Sequence, residues 1–232
     1  MAVTNNDLSI FTNKNENGIK LSDRLNTVLT NSKYFDVLVG YFRITGFYLL
    51  KEQLEDVKEI RILIGLGADI ETVRAMDIFE LSGANATRKV QKVITEEFNN
   101  TEDDNLEMEN GVFKFCEWIK SGKLKIRMCY EKNVHAKLYI VRKDPDKVPD
   151  QFGNLITGSS NFTFNGLDKN VEFNVELKNQ SDVQYGLDFF EELWKDSKDI
   201  TEDILATINN DTWMNKNITP YELFLKLLFV YF

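Results

Sequence analysis

The chain contains one histidine, His135, two positions before Lys137 in the run Val134–Val141. Alternation along such a run turns His135, Lys137, Tyr139 and Val141 to one face and Val134, Ala136, Leu138 and Ile140 to the other. An imidazole and an ammonium then stand side by side, one able to carry a proton or attack, the other to hold an anion. A core histidine beside a lysine at a sheet edge would read the same way. Next, Gly158 to Thr163 place Ser159 and Asn161 on a common face, with the glycine permitting close backbone approach; a Ser/Asn turn after a strand is the plain alternative. Third, Asn170–Leu177 points Glu172, Asn174 and Glu176 one way and Phe173, Val175 and Leu177 the other, as the wet face of an edge strand would.

The elements that must position these residues follow from hydrophobic periodicity. Leu21, Leu25, Val28 and Leu29 have helical spacing, and Phe35–Phe42 and Ile60–Leu66 read as buried strands either side of a helix over Phe47–Val57. Helices are expected over Ile70–Leu81, Thr87–Phe98 and Val112–Ser121, the last closed by Gly122. Strands are expected over Leu124–Tyr130, Val134–Val141, from Leu155 to Gly158 and over Val171–Leu177. Beyond Gln180 the texture is helical, with Ser181 and Gln184 spaced as a capping box and Val183, Leu187, Phe190 and Trp194 as an apolar stripe. The fold class is α/β, a mixed β-sheet flanked by helices on both faces, over residues 1–180. Residues 181–232 form a helical C-terminal extension. It ends in a helix from Thr219 through the apolar Leu223–Phe232, which suggests the start of a linker to a further domain.

Composition narrows the function classes. At 232 residues and 43% apolar content the chain can bury a large core. Cys116 and Cys129 are thirteen apart without a Cys/His cluster, so no metal site is expected and both thiols should be reduced. The polar N-terminus lacks a secretory signal and no run is long enough to span a bilayer, which points to a cytoplasmic protein without membrane contact. The net charge of −9 opposes indiscriminate coating of nucleic acid. Its distribution is uneven, however. Seven carboxylates fall between Glu96 and Asn110, whereas Gly111–Lys143 carries nine Lys and Arg against Glu117 and Glu131. Within that basic stretch Lys123, Lys125 and Arg127 alternate along one strand and could track a phosphate backbone, or line a solvated sheet edge. Tyr130, Tyr139, Phe162 and Phe164 could stack bases or belong to the core.

Taken together, His135-Ala136-Lys137, then Gly158-Ser159-Ser160-Asn161, then Glu172 eleven positions after Asn161 resemble the HKD motif of the phospholipase D superfamily. Residues from Gly18 to Gln180 resemble its single half-domain. The resemblance implies a hydrolase acting on phosphodiester bonds without metal or other cofactor. His135 would attack phosphorus, Lys137, Ser159 and Asn161 would hold the non-bridging oxygens, and Glu172, or less fittingly Glu176, would orient the imidazole. Two departures stand out: Arg142 occupies the place of the motif's aspartate, and Lys143–Gly153 reads as an inserted loop that could gate the site.

In-line displacement needs an acid opposite the nucleophile, and the family uses a second histidine there; with one per chain, a homodimer is expected. The sequence is similar to phospholipase D-like nuclease modules fused ahead of bacterial helicases. The expected substrate is therefore DNA, with RNA left open, and a linked helicase or ATPase would lie beyond Phe232, since no GxxxxGK[ST] is present. A catalytically inactive nucleic-acid-binding or dimerisation module and a lipid phosphodiesterase or phosphatidyl transferase are the alternatives.

Overall fold

A computed structural model describes residues 8–13, 18–65, 88, 91–92, 94–96, 106–130 and 134–211. The helix expected over 70–81, most of the acidic stretch and the apolar run 223–232 lie outside these residues. In chain order the elements begin with β1 (Ile10–Thr12), α1 (Leu21–Leu29), β2 (Ser32–Val39), α2 (Ile44–Tyr48), α3 (Lys51–Leu54) and β3 (Glu59–Ile64). There follow α4 (Leu106–Lys120), β4 (Leu124–Met128), β5 (Leu138–Lys143), β6 (Gly153–Gly158) and a π-helical turn, Asn165–Lys169. The last are β7 (Phe173–Leu177), α5 (Gln180–Lys195), β8 (Lys198–Asp199) and α6 (Thr201–Asp211).

The strands form one mixed sheet in the order β1, β7, β6, β5, β2, β3, β4, β8. β2, β3 and β4 run parallel, while β5, β6, β7 and β1 continue the sheet by antiparallel pairing. Parallel strands buried on both faces need apolar residues on both, and β2 and β3 supply them. Phe35, Val37, Ile60 and Ile62 face a layer containing α1, α2, α4 and α6. Leu38, Leu63, Ile140 and Leu155 face α5 through Val183, Phe190 and Leu193. Each such side chain, fully buried, stabilises the fold by roughly 1.5–3 kcal/mol. The expected class, a mixed sheet with helices on both faces, is the architecture observed.

Residues 181–211 belong to this packing. α5 is the second layer, β8 pairs with β4, and Ile200, Ile204 and Ile208 enter the main core. The expected capping box is not formed: α5 starts at Gln180 with Asn179 as its N-cap, and Asn179 Nδ2 donates to Asp182 Oδ2 at 3.3 Å. Gly122 does close α4, at φ 75°.

Boundaries differ most at the ends of strands. β2 starts at Ser32 and stops at Val39, so Gly40–Arg43 leave the sheet as a loop. The single helix expected over Phe47–Val57 is two short ones, α2 and α3. β5 begins at Leu138, opposite Leu38 of β2 and Thr157 of β6; the preceding residues have no strand beside them. β7 is not an edge, because β1 pairs with it along Ile10 to Val175 and Thr12 to Phe173. Asn174 and Glu176 are consequently buried rather than wet. The Leu8–Thr12 stretch that forms this edge has no counterpart among the strands expected from the sequence, for its apolar residues do not alternate.

One polar group lies in the middle of the sheet. Asp36 on β2 is fully buried and accepts from Arg61 Nε of β3 at 2.6 Å. Its other oxygen accepts from Arg142 of β5, at 3.1 Å from Nε and 2.9 Å from the terminal nitrogen. Arg61 continues to Glu191 of α5 at 2.7 Å and lies under Phe190 and Trp194. Removing this buried carboxylate leaves Arg142 without its carboxylate partner and Arg61 with only the half-exposed Glu191. Asp36→Ala should cost about 3–5 kcal/mol of folding stability in urea unfolding, whereas Glu191→Ala, at the solvent end, should cost less than about 1 kcal/mol.

Both cysteines are buried thiols outside any disulfide, and burial pushes the Cys116 thiol up to about 11. Neither should react with a disulfide reagent at neutral pH until the protein is unfolded; rapid labelling of the native protein would contradict this packing.

Candidate active site

Strand register decides what meets what. β5 opens at Leu138 opposite Thr157, and β6 closes at Gly158 opposite Asn174 of β7. The residues before β5, after β6 and before β7 therefore lie at one end of the sheet, where β2 and β3 also end. This is the carboxyl end of the parallel strands, the usual place for a site in an open α/β sheet. His135 and Lys137, Ser159 and Asn161, and Glu172 are all there.

His135 and Lys137 do not lie on a strand; they occupy the extended segment leading into β5. Alternation cannot distinguish a paired strand from an unpaired extended chain, which is why the strand was expected to begin earlier. The segment crosses the end of β3 at Gly65, where any side chain would collide with the Val134 carbonyl. The His135 side chain is exposed, and among the described residues its imidazole makes no hydrogen bond. Lys137 is half-buried, with Nζ 3.0 Å from the His135 carbonyl oxygen. Thr157 Oγ1 donates to the Lys137 carbonyl at 2.9 Å, tying this backbone to β6.

Tyr139, next on the same face, is fully buried and donates from its hydroxyl to the Ser160 carbonyl at 3.0 Å. Burial, and to a lesser degree the Glu172 carboxylate, push its pKa well above the ordinary phenol value. It joins the His135 segment to the Ser159–Asn161 turn as a permanent donor. Phe162 is buried too, stacked on Phe42 at 5.6 Å. Tyr139 and Phe162 thus belong to the core, the second of the two readings open to them.

The polar side chains of the turn are also held. Asn161 Oδ1 accepts the Tyr41 amide at 3.2 Å, which leaves the Asn161 Nδ2 group to donate elsewhere. Ser159 Oγ accepts the Phe173 amide at 3.1 Å and donates to Glu172 Oε2. The Glu172 amide donates to Asn13 Oδ1 at 2.9 Å, and Asn13 Nδ2 donates to the Asn170 carbonyl. Glu172 is therefore fixed through its carboxylate by Ser159 and through its backbone by the end of β1. Glu176 is elsewhere: it is buried, 3.1 Å from Arg24 Nε and accepting from Asn154 Nδ2 at 2.6 Å. That pair ties α1 to the sheet and takes Glu176 out of the site.

Three other sequence features lie apart from these five residues, along the strands or across the sheet. Arg142 is at the far end of β5, bound to Asp36 and over the Tyr34 ring, so the departure from the motif lies in a structural ion pair apart from the candidate site. The Lys143–Gly153 stretch joins β5 to β6 at that far end as well. It cannot gate a site at the start of β5, contrary to expectation. Lys123, Lys125 and Arg127 do alternate along β4, but three strands away from β5. Lys123 Nζ donates to the Leu54 and Glu55 carbonyls, Lys125 pairs with Glu59 at 2.6 Å, and Arg127 donates to the Ser197 carbonyl beneath Trp194.

Asn13, Tyr41 and Arg43 join the site without having been anticipated. For Tyr41 and Arg43 the signal was present: polar residues directly after a central parallel strand occupy the sheet's carboxyl end. Among the described residues no group of three or more His, Cys, Asp and Glu could hold a metal ion, and no helix is long and apolar enough to cross a membrane.

Comparison with solved structures finds NucT from Helicobacter pylori (10% identity, TM-score 0.44), over 82% of this chain and 97% of that one. Nuc from Salmonella typhimurium, a phospholipase D family member, is 16% identical with a TM-score of 0.43, over 82% and 95%. Phosphatidylserine synthase from Haemophilus influenzae is 14% identical with a TM-score of 0.49, over 95% of this chain and 45% of that one. Comparison with curated proteins returned no match. The family described as "Cardiolipin synthase, PLD-like domain" matches residues 29–194, a span running from before β2 into α5 and holding all five motif residues. With well over half its length so matched, the chain belongs to the phospholipase D-like domain family.

Proposed function

We propose that the chain is a metal-independent phosphodiesterase, a nuclease acting on DNA, whose complete site forms between two copies. The observation that carries this reading is the convergence of His135, Lys137, Ser159, Asn161 and Glu172 at one sheet end although they come from three separate segments. A phosphodiester is anionic, so a catalyst must neutralise its oxygens, present a nucleophile and protonate the leaving group. Lys137 and the Asn161 Nδ2 group supply positive charge and a donor for the non-bridging oxygens. Ser159 serves chiefly to hold Glu172, since its hydroxyl proton is already directed there.

In the first step an imidazole nitrogen of His135 attacks phosphorus, a P–N bond forms and the bond to the leaving oxygen breaks. That oxygen takes its proton from His135 of the partner subunit. Water then attacks phosphorus from the same side, giving its proton to that second imidazole, and the P–N bond breaks. The single histidine of the sequence and its exposure are what favour assembly from two copies. In the assembled site the Glu172 oxygen not engaged by Ser159 is proposed to receive the imidazole, orienting it and stabilising the positive charge it acquires.

A second reading, phosphatidyl transfer, has one observation in its favour. Val171 and Phe173, either side of Glu172, are 69% and 56% exposed, and Ile10 of the neighbouring strand is 52% exposed. Such an apolar rim suits a lipid chain as well as a partner subunit.

The test is turnover of labelled DNA and of phosphatidylglycerol vesicles in excess EDTA, with sedimentation of the same sample. DNA cleavage should persist in EDTA, sediment with twice the chain mass, and fall by about 10³-fold or more in His135→Ala. Lys137→Ala should lose about 10²–10³-fold, mainly in kcat. Turnover of lipid alone would establish the second reading, and loss of DNA cleavage in EDTA would refute the metal-independent one.

A further inference from the structure

Arg43 differs from three other arginines near the sheet, though not from Arg127, whose partner is the Ser197 carbonyl. Arg24, Arg61 and Arg142 each lie against a buried carboxylate, Glu176 or Asp36. Among the described residues the Arg43 guanidinium has no carboxylate within ion-pair distance. One terminal nitrogen donates to the Tyr41 hydroxyl at 2.7 Å, and the group lies over the Tyr41 ring, 5.2 Å from its centroid. A guanidinium carries five N–H donors, so most of them remain for a ligand. Both side chains are half-buried, and the cation–π contact holds the charge in place without neutralising it.

The backbone fixes this cation relative to the reacting groups. The Arg43 amide donates to the Phe162 carbonyl at 2.9 Å, the Tyr41 amide to Asn161 Oδ1 at 3.2 Å, and Phe42 forms a bridge and a ring stack with Phe162. Residues 41–43 are thus bound along 161–162, and Arg43 belongs to a backbone segment fixed beside Asn161. In a chain of net charge −9 a preorganised, unneutralised cation at this place calls for an anion.

We propose that Arg43, supported by Tyr41, forms a second anion subsite that binds the phosphate adjacent to the scissile one in a nucleic-acid strand. The inference rests on the phosphodiesterase reading and deepens it. A simple diester offers one phosphate, which Lys137 and Asn161 engage; a polynucleotide offers a second within reach. Arg43 would therefore favour the polymer over an isolated diester, and its planar fork suits a phosphate better than a lysine would.

The experiment compares wild type, Arg43→Gln and Arg43→Lys on a short DNA strand and on bis(p-nitrophenyl) phosphate across a salt series, with thermal melting of each variant. Arg43→Gln should lose about tenfold more kcat/KM on DNA than on the small diester, chiefly through KM, and lower the salt slope of log KM by about 1. Arg43→Lys should recover part of the loss and restore the slope. Equal losses on both substrates, or an unchanged salt slope, would overturn the subsite, and a melting shift confined to Arg43→Gln leaves Arg43→Lys against wild type to decide. If wild type cleaves neither substrate, the phosphodiesterase reading falls, and anisotropy with the same labelled strand tests the subsite alone. There, weaker binding and a lower slope in Arg43→Gln support it, and unchanged or absent binding overturns it.

Discussion

A carboxylate buried in the centre of a sheet constrains everything around it. Asp36 is out of contact with water and needs cations on both neighbouring strands, and Arg61 and Arg142 come from β3 and β5. A shift of one residue in β2 would turn Asp36 toward the aromatic layer of α2 and α4 and strand both guanidiniums. The ion pair thus agrees with the apolar alternation of Phe35, Val37 and Val39 in specifying one register for three strands. That register in turn determines where β5 begins, and hence where His135 and Lys137 leave the ladder. The position of the candidate site is thus set from the interior of the sheet.

The candidate site then grows from chain ends and not from strand interiors. Its backbone is tied across segments by Thr157, Tyr139 and Asn13. His135 is free among the described residues to meet a ligand or a partner, while Glu172 is held on two sides. This division between rigid support and an open imidazole suits the preorganised chemistry proposed for it.

Much of this was legible in the sequence. The spacing of His135, Lys137, Ser159, Asn161 and Glu172 identified the family, and the alternation of helical and strand periods gave the α/β class. Period-two alternation nevertheless placed His135 on a strand, because an extended segment without a partner has the same pattern. It also made Glu172 and Glu176 equivalent, and only the pairing of β1 with β7 and the position of Arg24 separate them. Arg142 looked like a defect in a motif; its meaning depends on Asp36, more than a hundred positions earlier, which no local pattern reveals. The basic stripe on β4 illustrates the converse, since a regular charge pattern says nothing of the internal carbonyls and carboxylate that take up its head groups.

On the proposed account the reaction passes through a covalent bond between phosphorus and the imidazole of His135. Rapid quenching of the wild-type protein in turnover, followed by mass spectrometry of its peptides under alkaline conditions, tests this directly. The account predicts a phosphoryl adduct on the peptide containing His135, stable to base, labile to acid and lost on chasing with unlabelled substrate. Turnover at full rate with no adduct on His135, or with the adduct on another residue, would contradict it.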